Sequence, residues 1–246
     1  RGQLDPCGWK KNPLGGLSRK STYVKQLNKE GKNIVILDAG DLLFSNSVLV
    51  DIQEEADKLR AQTVIKGYET IGCDVINVGG FDMAAGMDYL QQIIDSTDIP
   101  FISANIIDSR TNKNLFPSHH IIENEGLSVG VIGLTDFIPP HIRRVKIEDL
   151  ISVGKAQIAE LRNKVDIVVV LANANRDKNK LMNEEFSDAD YVFLSRNTMK
   201  TRSETEQPVN GPFTYGSNVQ GKYLAQIDIN LTEIDSPLVD VSNLHA

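Results

Sequence analysis

The residues best placed to do chemistry stand in Leu37-Asp38-Ala39-Gly40-Asp41-Leu42-Leu43-Phe44, where the apolar run Ile34 to Leu37 gives way to two carboxylates around a glycine. An unbroken apolar run of this kind reads as a strand of a buried parallel sheet. In open α/β sheets, functional groups collect just beyond the carboxyl ends of such strands. Asp41 therefore stands where a hydrolase would place a carboxylate ligand for a metal ion. The position suits a carboxylate satisfied by backbone N–H groups equally well, and the sequence leaves both roles open.

Few other side chains join it. His119 and His120 adjoin in an expected strand, where neighbours point to opposite faces, His141 follows Pro139-Pro140, and His245 is near the end. They make no chelating set. Arg1 and Arg196, with Arg176 behind them, could bind an anion, because the guanidinium fork matches phosphate. Gly79-Gly80 before a helix is either a tight turn or a pair of backbone N–H groups offered to an anion. Cys7, in a glycine-rich loop, is a candidate thiol. With Cys73 it makes the full complement of two cysteines, enough for one disulfide and too few for a cysteine-based zinc site. Nothing resembles a Ser–His–Asp array, a Walker loop or a dinucleotide fingerprint.

The elements that must position these residues alternate along the chain. Residues 1–17 read as loop, rich in Gly and Pro. Helical spacing follows over 18–29, a strand over 34–38, and a long amphipathic helix over 48–71. Next come a strand over 75–78, the Gly79-Gly80 turn, a helix carrying Met87, Leu90, Ile93 and Ile94, and a strand over 101–104. Segments 119–123 and 127–134, separated by Asn124-Glu125-Gly126, read as a β-hairpin. A helix over 147–164 leads into the most apolar strand, 165–172, then a polar helix over 176–185 and a strand over 191–194. Residues 197–210 show no pattern. Strands at 211–215 and 222–230 precede a tail. Alternation of this sort, with extra strands late, implies a mixed sheet pair flanked by helices.

At 246 residues, 41% hydrophobic and 24% charged, the chain can bury a sizeable core. Net charge −7 argues against nucleic acid as a partner. No apolar run reaches the roughly 20 residues needed to span a bilayer.

Several stretches together resemble the calcineurin-like metallophosphoesterases of 5′-nucleotidase and UDP-sugar hydrolase type. Gly2-Gln3-Leu4-Asp5-Pro6-Cys7-Gly8 followed by Gly15-Gly16-Leu17-Ser18-Arg19 is similar to the family's opening, and 37–44 to its metal-bridging Asp-x-Gly-Asp loop. Val78-Gly79-Gly80-Phe81-Asp82-Met83-Ala84-Ala85-Gly86 matches the length of Val-Gly-Asn-His-Glu-Phe-Asp-x-Gly. Ser103-Ala104-Asn105-Ile106, 129–135, 166–172 and 220–224 complete the likeness over 1–231. The resemblance implies an α/β, four-layer αββα sandwich of two mixed sheets. It also implies two metals held at the strand ends. Against that ligand set, Arg1 stands for the first His, Gly80 and Phe81 for the Asn-His pair, Asn173-Ala174-Asn175 for a later His, and Ser195-Arg196-Asn197-Thr198 for Gly-His-Thr-His. Asp41 alone remains, and one carboxylate cannot hold a dinuclear centre.

The opening also resembles an exported bacterial branch with a Cys-Gly-Cys or selenocysteine motif, in which Trp9 here replaces the second sulfur. Three expectations follow. One is an exported, non-catalytic binding or scaffold module, without cofactor, in the periplasm or at the cell surface, with Phe81 and Trp9 filling the former metal cavity. The tail 232–246 would lead to a protein partner or fused segment. A metal-dependent phosphohydrolase with a divalent metal pair is the second, and a thiol protein acting through Cys7 the third.

Overall fold

Three apolar layers, stacked between helices and two sheets, account for where the chain's strands and helices lie. The computed structural model describes residues 4–5, 15–196, 211–216, 223–229 and 240–245. In the first half, α1 (Leu17–Lys29), β1 (Leu37–Asp38), α2 (Glu54–Ile71), β2 (Val75–Asn77), α3 (Met87–Asp95), β3 (Phe101–Ile102) and β4 (Ile106–Asp108) follow one another. The second half contains β5 (His119–Asn124), β6 (Leu127–Thr135), β7 (Val145–Ile147), α4 (Leu150–Leu161), β8 (Ile167–Asn173), α5 (Asn179–Glu185), β9 (Tyr191–Ser195), β10 (Phe213–Gly216), β11 (Tyr223–Asp228) and β12 (Asp240–His245).

β1, β2 and β3 form a parallel three-stranded sheet in that order, and the five-stranded sheet runs β10-β9-β8-β6-β5. Among the described residues the larger sheet is mixed, because β5 returns antiparallel on β6 while its other pairs are parallel. The β5–β6 turn holds Glu125 at φ 49° and Gly126 at φ 83°, the paired positive values of a type I′ hairpin.

One apolar layer joins α2 and α3 to the small sheet through Val64, Ile65, Leu90, Ile93 and Ile76. A second lies between the sheets, with Val75 and Ile102 against Val131, Val169 and Leu171. The third places α4 and α5 on the large sheet through Ile158, Leu161, Met182, Val168 and Val170, with Phe186 just after α5. The order is α, β, β, α. Each fully buried side chain of this size contributes on the order of 1.5–3 kcal/mol. The sheets touch closely at Gly133, where a Cβ would meet Asn77 Oδ1 at 2.5 Å and Ile102 O at 2.7 Å.

The sequence spacing overstates some elements. The helix expected from 48 starts at Glu54, after a 3₁₀ turn at Asp51–Gln53. Glu54, Glu55 and Asp57 fill its first turn, where carboxylates suit the helix dipole, and Val48 and Val50 remain outside it, exposed. The helix expected over 147–164 is Leu150–Leu161, capped by Asp149 accepting from Ser152 N. The strand expected over 34–38 is reduced to Leu37–Asp38. The short antiparallel pair of β4 and β7 was not legible, and the expected tail contains β12, antiparallel to β11.

Candidate functional site at the strand ends

The ends of β1, β2, β6, β8 and β9 converge on a buried polar network. Immediately after β1, Asp41 has φ 59°, a left-handed turn that aims its side chain back under the loop after β2. It is 2% exposed. Its Oδ1 accepts from Phe81 N at 2.8 Å, while Oδ2 is buried without a hydrogen-bond partner. Burial raises the Asp41 carboxyl above the usual carboxylate range, and the Phe81 N–H opposes that shift.

Asp82 knits the loops together. Its Oδ2 accepts from Asp41 N at 2.9 Å and Gly79 N at 2.8 Å, and its Oδ1 from Leu43 N at 2.8 Å. Burial, with the neighbouring Asp41 charge, pushes the Asp82 carboxyl up to about 7 against these donors. Gly79 is required by contact: a Cβ there would lie 2.4 Å from Asp41 N and 2.6 Å from Asp41 Oδ1.

Asn173, at the end of β8, accepts from Gly80 N at 3.3 Å and donates from Nδ2 to Ser195 Oγ at 2.8 Å. Ser195 in turn donates to Ala39 O at 2.6 Å, and Thr135 Oγ1 lies 3.3 Å from Asn173 Oδ1. Asn77 donates to Ala39 O and Leu134 O, leaving its Oδ1 buried and without a partner.

Above this network lies an aromatic and ionic lid. Arg196, at φ 58°, pairs with Asp136 Oδ1, whose Oδ2 accepts from Asn175 N at 2.8 Å. The pair is largely buried. The guanidinium carbon sits 4.3 Å from the Phe137 ring centroid, and Phe137 meets Phe81 edge-on at 6.1 Å. Gly80 lies beneath Phe137: a Cβ at 80 would be 2.4 Å from the ring and 2.8 Å from Phe137 O.

The structure therefore brings together Asp41, Gly80, Phe81, Asn173, Asn175 and Arg196. Arg1, Cys7, Trp9 and Thr198 fall outside the described residues. Arg196 already has a carboxylate partner, so an anion would have to displace Asp136. Arg176, next to Asn175, is exposed. His119 meets Gln157 and His141 meets Ala84 O, and neither hydrogen-bonds to Asp41. Cys73 is a buried free thiol whose pKa burial pushes far up. Sequence reasoning missed Asp82, Asp136 and Phe137. A usable signal existed for Asp136, which follows Thr135 at the end of β6 much as Asp41 follows β1.

Among the described residues, the donors gathered here do not make a set for two divalent metals. Among the described residues no three His, Cys, Asp or Glu side chains come together as ligands. Asp41 Oδ2 is a fitting oxygen donor, but Gly80 and Phe81 offer no side-chain donor and Asn173 Oδ1 is already engaged.

A four-layer αββα sandwich with its polar residues gathered at the strand ends is the architecture of metallophosphoesterases. The chain is 32% identical over 181 residues to a 2′,3′-cyclic-nucleotide 2′-phosphodiesterase/3′-nucleotidase of Salmonella typhimurium, an alignment covering 65% of this chain and 27% of that protein. A 5′-nucleotidase precursor from Thermus thermophilus superposes with TM-score 0.76 at 18% identity, covering 98% of this chain and 52% of the other. The Thermus thermophilus sulfate thiohydrolase SoxB superposes with TM-score 0.77 at 18% identity, covering 94% and 43%. At such identities the two structures share the fold. No family model matches the chain. Curated and structural relatives together point to the calcineurin-like metallophosphoesterase, 5′-nucleotidase-type family, and the chain has that fold. It spans only about a quarter of the cyclic phosphodiesterase's length. No helix among the described residues is long and apolar enough to cross a membrane.

Proposed function

We propose that this chain is a non-catalytic module of metallophosphoesterase fold, exported to the periplasm or cell surface, that binds a partner instead of hydrolysing a phosphate ester. The observation that carries this reading is the space above Gly80, filled by the Phe137 ring, with the Arg196–Asp136 ion pair closing the strand ends. Metal-assisted phosphate hydrolysis needs a Lewis acid and an activated water, and each ion needs several donors. Asp41 is the one carboxylate of this network with an uncommitted oxygen among the described residues.

The second reading is a metal-dependent phosphohydrolase, and the relatives favour it: they are named as nucleotidases and a cyclic-nucleotide phosphodiesterase. On that reading, further ligands join Asp41 from outside the described residues, and two divalent ions supply the nucleophile and the charge stabilisation.

One experiment separates the readings. Titration calorimetry of the purified chain with Mn²⁺ and Zn²⁺ is paired with hydrolysis of 5′-AMP and 2′,3′-cyclic AMP. The module reading expects no stoichiometric metal and no turnover that Asp41→Asn abolishes. Two bound ions per chain with Asp41-dependent turnover would establish the hydrolase.

A further inference from the structure

Val48, Val50, Ile52 and Leu59 put four aliphatic side chains into solvent on one stretch of chain, and Ile52 is 92% exposed. The backbone there causes it. Val50 is extended, at φ −96° and ψ 124°, so neighbours alternate: Leu49 turns in to the apolar layer of α2 and α3, and Val48 and Val50 turn out. Ile52, Glu55 and Leu59 then follow at helical spacing and share one side of the start of α2. Aliphatic side chains exposed singly are ordinary, but a group of this kind marks an interface. Acids border the group: Asp51, Glu54, Glu55 and Asp57. Glu54 and Glu55 share Lys58, and the Glu55 side chain remains largely exposed beside it.

The layer that receives Leu49 also receives Ile142 and Val145, so the ribbon of β4 and β7 is mounted on the same apolar support. Backbone bonds hold that ribbon together: Ser109 N donates to Arg144 O and Asp108 N to Lys113 O, both at 2.9 Å, beyond the β4–β7 pairing. They collect Arg110, Lys113, Arg143, Arg144 and Lys146, all exposed. None of these five side chains enters an ion pair among the described residues. Asp108, the carboxylate in their midst, has its Oδ1 engaged by Arg110 N and Thr111 N. In a chain of net charge −7 this ribbon is a basic exception. One apolar layer thus carries an aliphatic patch, an acidic pole and a basic pole.

We infer that two copies of this chain pair through this face about a twofold axis. The aliphatic residues of 48–59 meet their counterparts, and the acidic start of α2 in each copy meets the basic ribbon of the other. The occupant is a second copy because a single surface carries both halves of the contact, and a twofold axis sets each pole against its complement. None of these residues belongs to the buried network at the strand ends, so the inference is independent of whether that site is catalytic.

The test is sedimentation equilibrium of the intact chain over a concentration series. The expected result is a monomer–dimer equilibrium with Kd on the order of 10–100 µM, as suits a small interface. Asp51→Lys with Glu55→Lys, and separately Arg143→Glu with Lys146→Glu, should each weaken dimerisation about tenfold or more, because like charges then face each other. An equimolar mixture of the two double variants should regain the dimer, since each reversed charge again meets its opposite. Both variants keep a net negative charge, so overall attraction does not account for that recovery. Ile52→Ser, at a solvent-exposed position, should weaken dimerisation about threefold or more with far-ultraviolet circular dichroism unchanged, so failure of a charge variant to fold leaves this one. A chain still monomeric at about 1 mM overturns the inference, as does a dimer that neither charge reversal weakens, or a mixture of folded variants that stays monomeric. Assemblies that keep growing with concentration would mean that the poles join head to tail without closing, and would overturn the twofold pairing too.

Discussion

If Phe137 occupies the space above Gly80, then adding one methyl group at 80 and removing the ring at 137 must not be independent changes. Gly80→Ala places a Cβ 2.4 Å from a ring carbon and 2.8 Å from the backbone O of Phe137. Overpacking of this kind costs about 1–3 kcal/mol. Gly80 has no positive φ, so the alanine is conformationally tolerated and recovers up to about 0.5–1 kcal/mol through the unfolded chain. The expected net loss is about 1–2 kcal/mol. Phe137→Ala removes a half-buried ring and its contact with the Arg196 guanidinium, together about 2–3 kcal/mol. In the double variant the ring part of the clash is gone and the backbone part remains, so the losses should fall short of their sum by about 1 kcal/mol. Urea unfolding at constant pH reads this directly: with a slope of about 2–3 kcal/mol/M, a single-variant loss of 2 kcal/mol moves the midpoint by roughly 0.7–1 M. Additivity within about 0.5 kcal/mol would refute the reasoning, because it would mean that the ring does not hold the space.

Other consequences are equally direct. Gly79→Ala should cost more than Gly80→Ala, about 3 kcal/mol or above, because its Cβ meets the Asp41 backbone and carboxylate and nothing there can swing aside; a urea midpoint equal to that of Gly80→Ala counts against the network. Asp82 binds its proton more tightly folded than unfolded, since its carboxyl rises from 3.8 to about 7. Its contribution is therefore complete below pH 4 and lost as pH rises through 7, at up to about 1.4 kcal/mol per pH unit, and Asp82→Asn should remove that part of the slope in urea melts between pH 5 and 8. Arg196→Met leaves Asp136 without its partner and should destabilise by about 2–4 kcal/mol, with Asp136→Asn in the same background restoring part of it in a thermal melt. Cys73, buried with its thiol held toward Ile36 O and Val75 O, should resist iodoacetamide at pH 8 until the chain is unfolded, as read by mass spectrometry of the Cys73 peptide.

How legible the molecule was in its sequence depended on which physics set each feature. Elements set by local periodicity read well: the apolar spacing of α2, the continuous apolar run of β8, and the hairpin whose turn needs a positive φ at Gly126. Features set by pairing across the chain did not. Nothing in residues 106–108 and 145–147 announces that they pair. The site divides in the same way. Asp41 stood out because a carboxylate after an apolar run is a local signal. Asp82 did not, because its importance lies in three backbone N–H groups from Asp41, Leu43 and Gly79, which only the folded chain collects.

Gly80 and Phe81 acquire meaning from Phe137, a residue no local pattern selects. A glycine at 80 by itself only removes a side chain and leaves room that water or an ion could enter. With the Phe137 ring 2.4 Å from where that side chain would begin, the room is gone, and Arg196 is held over the same ring by Asp136. Placing an asparagine at 80 would therefore not create a metal site by itself. Phe137 must be shortened and the Arg196–Asp136 pair opened as well, and even then the Phe137 backbone O stands 2.8 Å from the new Cβ. The lack of a side-chain donor at 80 and the packing above it are coupled, so a search for metal binding at this place should vary positions 80, 137 and 196 together. A single change at 80 that produced stoichiometric Mn²⁺ binding would show that the ring yields more readily than the contacts imply.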